Sequence, residues 1–326
     1  MNHASTVGQI CMAVYRPDPR LLRDQIESLR SQTLEDWRCL IGIDGEDPDA
    51  LAHVRSCVGD DRRFEIVEFP DNVGFYRNFE RILELVPRAA PWVALADQDD
   101  RWFDEKLATL TPALAHASLA FCQVVVAAPG QGREGEVTQR RAVGLAADII
   151  DNQVTGSACV FRGELLETAL PFPDPTDLAF HDHWLGVCAL VSDGVFEEPE
   201  PLQVYVQHQG NVIGEERRRS LPGRVVDMVT RARGRSSGAL SYLSDHRWGW
   251  RVNMARRLLS HPSAVRGDDA AVLRAFSRGR ISTALIRIVA KAVAVRDAPP
   301  ARAVGLILGS LRSPRPRAGS VVQVVD

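Results

Sequence analysis

The chain has 326 residues, 45% of them apolar, and a net charge of −3. That length leaves room for a catalytic domain and a second unit. The apolar fraction is ordinary for a globular protein, and no stretch reaches the roughly 18 uncharged apolar residues of a membrane-spanning helix, which excludes a spanning segment. The small net charge conceals a division: residues 1–214 hold 17 Lys+Arg against 34 Asp+Glu, and residues 215–326 hold 22 against 8. An acidic front, 1–214, is joined to a basic C-terminal region, 215–326, with the boundary near Gly214. Met1 to Gln9 show no basic segment followed by an apolar one, so no secretory signal is expected. The six cysteines (Cys11, Cys39, Cys57, Cys122, Cys159, Cys188) form no CxxC pair and read as small buried hydrophobes of a reducing, cytoplasmic compartment.

In chain order, Val7 to Tyr15 is a short apolar strand, followed by Asp18–Pro19, a helix N-cap and first-turn pair. Leu21, Leu22, Ile26 and Leu29 then recur at helical spacing. Trp37 to Ile43 is the next strand and ends at Asp44–Gly45. Phe64 to Phe69 is the third, followed by a loop and a helix through Phe79, Ile82, Leu83 and Val86. The fourth runs from Trp92 into Asp97. Strands alternating with helices predict an α/β fold, a mostly parallel sheet flanked by helices.

The fourth strand carries the most chemistry. An apolar run ends in Asp97–Gln98–Asp99–Asp100, three carboxylates within four residues. An apolar strand of this kind is buried on both faces, and ligands of such sheets bind beyond the strands' carboxyl ends. Clustered acids there call for a divalent cation with oxygen ligands, although one Asp can equally cap a following helix. The other strand ends add Arg16 and Asp18, Asp44, and Asp71–Asn72–Val73–Gly74. Neither glycine-rich phosphate cradle, G-x-G-x-x-G or G-x-x-x-x-G-K-[ST], is present. An acidic crevice with a metal would have to hold the phosphates, which favours a nucleotide diphosphate over a nicotinamide cofactor.

Tyr15, the segment Gln25 to Thr33, Asp44, Asp71 to Gly74 with Asn78, Asp97 to Trp102, Thr155–Gly156–Ser157–Ala158 and His181–Asp182–His183–Trp184 occur in one order and spacing. Together they resemble family 2 glycosyltransferases of the GT-A fold, rhamnosyltransferase-like members above all, over residues 7 to about 213. The resemblance implies a metal-dependent, inverting hexosyltransferase of polysaccharide biosynthesis. The donor would be a nucleotide-diphosphate sugar and the acceptor a glycan or polyprenyl-linked glycan. Asp44 would meet the base, Asp97 the ribose or the metal's water shell, and Tyr15, Asn72, Gly74, Asn78 and Gly156 the nucleotide sugar. Asp99 would ligate Mg²⁺ or Mn²⁺, and His208, in Gln207–His208–Gln209–Gly210–Asn211, would complete the metal shell.

Asp182 is the candidate catalytic base, with N-capping of the apolar helix that follows as its alternative. Asp174 and Asp177 are the next carboxylates to consider. His181 and His183 are shaping residues, Trp102 packs beneath the acidic loop, and Gly130 to Gly135 is a surface loop.

In the C-terminal region Arg217 to Arg219, Arg231, Arg233 and Arg235 form a basic belt, and Ile281, Leu285, Ile288, Ala292 and Val295 an apolar stripe. Such a helix either lies on an anionic membrane, as a peripheral association, or caps the catalytic domain. Ser313 to Asp326 is expected to be disordered. The rival readings are a sugar-nucleotide nucleotidyltransferase, whose glycine- and basic-rich opening loop is missing, and a nucleic-acid-binding protein acting through the basic tail. The acidic front argues against nucleic acid.

Overall fold

The structure is a computed structural model that describes residues 7–128, 134–176, 179–207, 239–261, 265 and 267–314. Its strands are β1 (Gly8–Val14), β2 (Trp37–Ile43), β3 (Phe64–Glu68), β4 (Val93–Ala96), β5 (Arg101–Trp102), β6 (Leu119–Ala127), β7 (Glu136–Val137), β8 (Cys159–Phe161) and β9 (Val195–Val206). They form one sheet in the order β3-β2-β1-β4-β8-β6-β9-β5, with β7 paired to β6. The first half, β3-β2-β1-β4, is parallel throughout. The second half is mixed, since β8 runs antiparallel to both β4 and β6. This is the α/β architecture expected of a GT-A fold, with the parallel half coming first in the chain.

The helices of the first 207 residues are α1 (Pro19–Arg30), α2 (Pro48–Val58), α3 (Gly74–Glu84), α4 (Lys106–Leu110), α5 (Leu145–Ile150), α6 (Leu165–Ala169) and α7 (His181–Val191). Asp18 starts α1 by accepting from the backbone N–H of Arg20 at 2.8 Å and of Leu21 at 3.2 Å. Two otherwise unpaired donors of the first turn are thereby satisfied. Along β1, Ile10, Met12 and Val14 point into one apolar layer with Leu22, Ile26 and Leu29 of α1. Cys11 points into the opposite layer with Phe79 and Leu83 of α3. The period of two along a strand requires this division, and it covers both faces of the parallel half.

After residue 238 the chain forms the helices Ala239–Tyr242, Gly249–Leu259, Gly267–Ser277, Thr283–Ala294 and Pro300–Ser310, with a π-helical turn at Leu243–Trp248. Trp248, Trp250, Phe276 and Leu285 belong to the same apolar cluster as Leu145 and Ile149 of α5 and Trp184 of α7. The expected boundary near Gly214 and the arginines from 217 to 235 lie outside the described residues. The apolar stripe divides: Leu285 and Ala292 are buried and Ile288 packs against the core, whereas Ile281 and Val295 are exposed. Its middle therefore serves as the cap. No helix among the described residues is long and apolar enough to cross a membrane.

Candidate active site

The carboxyl ends of β1 and β2 open on a cleft of about 740 Å³ lined by Tyr15, Arg16, Asp44, Gly45, His53 and Asn72 among others. Arg16 adopts φ 42°, a conformation in which a side chain is strained, and such residues gather at functional sites. The side-chain amide of Gln98 accepts from the Tyr15 N–H at 2.8 Å and donates to the Tyr15 carbonyl at 3.0 Å. The acidic turn after β4 is thereby fastened to the end of β1.

Asp44 has its carboxylate engaged from three directions. One oxygen accepts from Val73 N–H at 2.9 Å and from the Arg81 guanidinium at 2.6 Å, and the other from Gly74 N–H at 2.9 Å. The side chain thus ties the end of β2 to the start of α3, where Gly74 takes φ +78°. Asn78 stands behind this wall, not on it. It is buried, donates to the Gly42 carbonyl and accepts from Arg81 Nε. Of the residues expected to meet the nucleotide, Tyr15, Asp44 and Asn72 line the cleft, Gly74 is joined to it through Asp44, and Asn78 braces it from within.

The acidic turn divides by burial. Asp97 and Asp99 are half-buried, whereas Asp100 is fully buried. Asp100 accepts from Ser157 Oγ at 2.6 Å, from Gln203 Nε2 at 3.2 Å and from the Val206 N–H at 3.2 Å. Lys106, wholly buried, donates to the Ser157 carbonyl and, at 2.7 Å, to Gln203 Oε1, and its ammonium lies 3.5 Å from the centre of the Trp102 ring. Burial lowers its pKa to about 8. The α1 end supports the loop: Ser28 Oγ accepts from Trp102 N–H, and Gln32 bridges the Phe103 carbonyl and the Leu107 N–H. That explains the Gln25 to Thr33 motif, which shapes the loop from behind.

Asp97 is pushed up to about 7, first by burial and then by the carboxylates of Asp99 and Asp182. Asp182, 85 residues after Asp97, reaches the acidic turn through Gly156 and Ser157: Ser157 is bonded to Asp100, and a Cβ on Gly156 would lie 3.5 Å from the Asp182 Cβ. Asp182 itself is pushed up to about 6 by burial, opposed by the N–H groups of His183 and Gly156, the Asn152 side chain and the charge of Arg140. Phe180, not Asp182, is the N-cap of α7, and it makes no side-chain cap bond. Asp182 sits in the first turn and accepts from His183 N–H at 2.6 Å. Its neighbours are fixed as neutral rings. His183 accepts from Trp250 Nε1–H at Nδ1, so its proton is on Nε2, which donates to the Asp148 carbonyl. His181 lies tilted against Phe79 with ring centres 4.1 Å apart, and a Cβ on Gly156 would come 2.6 Å from its Nε2. Only glycine fits there. Asp174 is exposed and pairs with Arg77; Asp177, His208 and residues 129–133 of the expected surface loop lie outside the described residues.

Among the described residues no three His, Cys, Asp or Glu side chains gather at metal-binding spacing. The pair Asp97 and Asp99 nevertheless fits a Mg²⁺ or Mn²⁺ ion, which needs only one or two carboxylates when water and substrate phosphates supply the rest. Gln98, Lys106, Arg140, Asn152 and Gln203 were not expected at the site. One signal existed: Lys106 is one of two lysines among 39 basic residues, and a compact ammonium fits where the planar arginine fork does not.

Residues 9–165 match the description Glycosyl transferase family 2. That stretch is a family 2 glycosyltransferase domain. It contains β1 to β8, the cleft and the acidic turn, whereas Asp182 follows it on α7. The S. aureus TarS 1-349 structure in complex with UDP-GlcNAc aligns with TM-score 0.53 and 12% identity over 93% of this chain and 84% of that one. The same fragment in complex with UDP aligns with TM-score 0.50 and 11% identity over 84% and 92%. The mannosyltransferase PcManGT from Pyrobaculum calidifontis, with GDP-Man and Mn²⁺, aligns with TM-score 0.48 and 16% identity over 93% and 84%. The fold of the family 2 domain is that of the TarS structures. No curated protein matches the chain in sequence.

Proposed function

We propose that the chain transfers a sugar, rhamnose or a related hexose, from a nucleotide-diphosphate donor to a glycan or polyprenyl-linked acceptor in polysaccharide biosynthesis, at the cytoplasmic face and with inversion. The observation that supports this reading is the chain of contacts that joins the cleft, the acidic turn and α7: Gln98 is bonded to Tyr15 of the cleft, Asp100 to Ser157, and a Cβ on the neighbouring Gly156 would lie 3.5 Å from the Asp182 Cβ. UDP-GlcNAc in the similar TarS structure supports a nucleotide-sugar donor.

The cleft wall, Tyr15, Asp44 and Asn72, receives the nucleoside. Asp99, with Asp97, would hold the divalent cation, and His208 would be its further ligand. When bound, the cation supplies Lewis-acid stabilisation of the charge that builds on the departing diphosphate. Asp182 takes the proton of the acceptor hydroxyl as the new C–O bond forms at the anomeric carbon and the bond to the diphosphate breaks on the opposite face. A carboxylate raised to about 6 is ionised at neutral pH and still basic enough to accept that proton. The N–H groups of His183 and Gly156 hold it in place.

Asp182→Asn keeps the shape but cannot accept the proton. Transfer by that variant falls by about 10²–10⁴, the range for loss of a general base, while donor affinity from calorimetry stays within a few-fold. Transfer rates close to wild type would remove Asp182 from the role.

A further inference from the structure

Among the described residues nine large apolar side chains are exposed, and six of them fall in residues 281–311: Ile281, Ile286, Val295, Val304, Leu308 and Leu311. They are not scattered over that segment. The exposed positions of the helix Pro300–Ser310 are Pro300, Val304 and Leu308, and Leu311 continues the same stripe. Arg302, the helix's one charged residue, is half-buried and paired with Asp151 at 3.0 Å. The outward face of this helix is therefore wholly apolar, the pattern of an interaction surface. Ile281 donates its N–H to the Ser310 carbonyl at 2.8 Å, which sets Arg280 and Ile281 beside Leu311. On the helix Thr283–Ala294, Ile286, Ala290 and Ala294 form one exposed flank and Arg287 and Lys291 the next. Residues 270–314 carry eight Arg and Lys and one acid, Asp297, which pairs with Arg141.

An apolar face fringed by cations matches an anionic lipid surface, where the apolar side chains enter the acyl boundary and Arg and Lys reach the headgroups. A second copy of the chain would bring two cationic fringes together. A nucleic acid would favour aromatic stacking residues, and residues 281–311 contain no Phe, Tyr or Trp.

We propose that the outward face of the helices Thr283–Ala294 and Pro300–Ser310 docks on an anionic membrane surface. This face differs from the inward stripe of Leu285 and Ala292, and it deepens the acceptor reading, because a chain held at a membrane shares that surface with a lipid-linked glycan.

The full chain is sedimented with vesicles of phosphatidylcholine alone and of phosphatidylcholine mixed with phosphatidylglycerol, without donor or acceptor. The wild type binds the anionic vesicles and releases at high salt. Val304→Ser/Leu308→Ser and Arg287→Glu/Lys291→Glu each lower the partition coefficient at least about tenfold, in line with the apolar and charge contributions of such residues. Melting temperature and transfer to a soluble acceptor stay unchanged. Absence of wild-type binding, or binding by both variants equal to wild type, overturns the proposal. So does a wild-type dimer in lipid-free solution that Val304→Ser/Leu308→Ser converts to monomer, which assigns the face to self-association. Because binding is read without turnover, failure of the transferase reading is seen separately.

Discussion

Asp44 illustrates how one residue can serve binding and architecture together. It lines the cleft, yet its carboxylate is also the joint between β2, the N-terminus of α3 and Arg81. The carboxylate is 2% exposed and the guanidinium 17%, so the pair is largely withdrawn from water. Removing one partner of a buried pair leaves the other uncompensated and costs about 3–5 kcal/mol. Asp44→Ala is therefore expected to lose about that much stability in urea unfolding, before any ligand is added. A variant as stable as wild type that has lost only nucleotide affinity would confine Asp44 to recognition.

At the scale of the element, α7 is built to carry a carboxylate between two neutral imidazoles. Burial holds His181 down to about 3. It also holds His183 well below its ordinary value, with Arg251 adding repulsion. The unfolded chain protonates both rings near pH 6.5, so this stability is complete above that pH and is lost as the pH falls toward the folded values. Asp97, Asp148 and Asp182, raised to about 7, 7 and 6, change in the opposite sense, gaining stability as they are protonated below neutrality. A single substitution separates the two contributions. At about 1.36 kcal/mol per pH unit below 6.5, His181→Leu is expected to improve relative to wild type by about 2 kcal/mol between pH 8 and pH 5, whatever its packing cost at pH 8. A stability difference that does not change with pH would show that the ring can protonate in the folded state.

For the whole molecule, the basic C-terminal helices complete the core of the front half. Trp248, Trp250, Phe276 and Leu285 are fully buried in one cluster with α5 and α7, and Arg251 donates to the carbonyls of Ile149 and Ile150. Each large apolar side chain contributes about 1.5–3 kcal/mol when buried, so four of them rival the 5–15 kcal/mol stability of a typical domain. A chain ending at Gln207 is thus expected to aggregate or to melt far below the full chain, as read by gel filtration and circular dichroism. A soluble fragment melting within a few degrees of the full chain would show that the helices are dispensable.

The parallel half of the sheet was legible before any fold was known, because strands buried on both faces and helices with one apolar face write their periods locally: β2 falls on Trp37–Ile43, as its apolar run predicts, and α1 begins at Asp18–Pro19. The sequence also marked the acidic turn, since carboxylates at the end of an apolar run are visible without a fold, and the resemblance singled out Asp182 at the start of an apolar helix. What those groups face depends on how elements distant in the chain pack together. Asp182 comes near the acidic turn because the Gly156–Ala158 turn lies against both, Ser157 bonding Asp100 and Gly156 facing Asp182, and Asn78 turned inward to bond the Gly42 carbonyl and Arg81. The direction of the C-terminal stripe was equally out of reach, because an amphipathic helix has the same pattern whether its apolar side meets lipid or protein. The surface it found was α5 and its neighbours, and the face left outside was a different one.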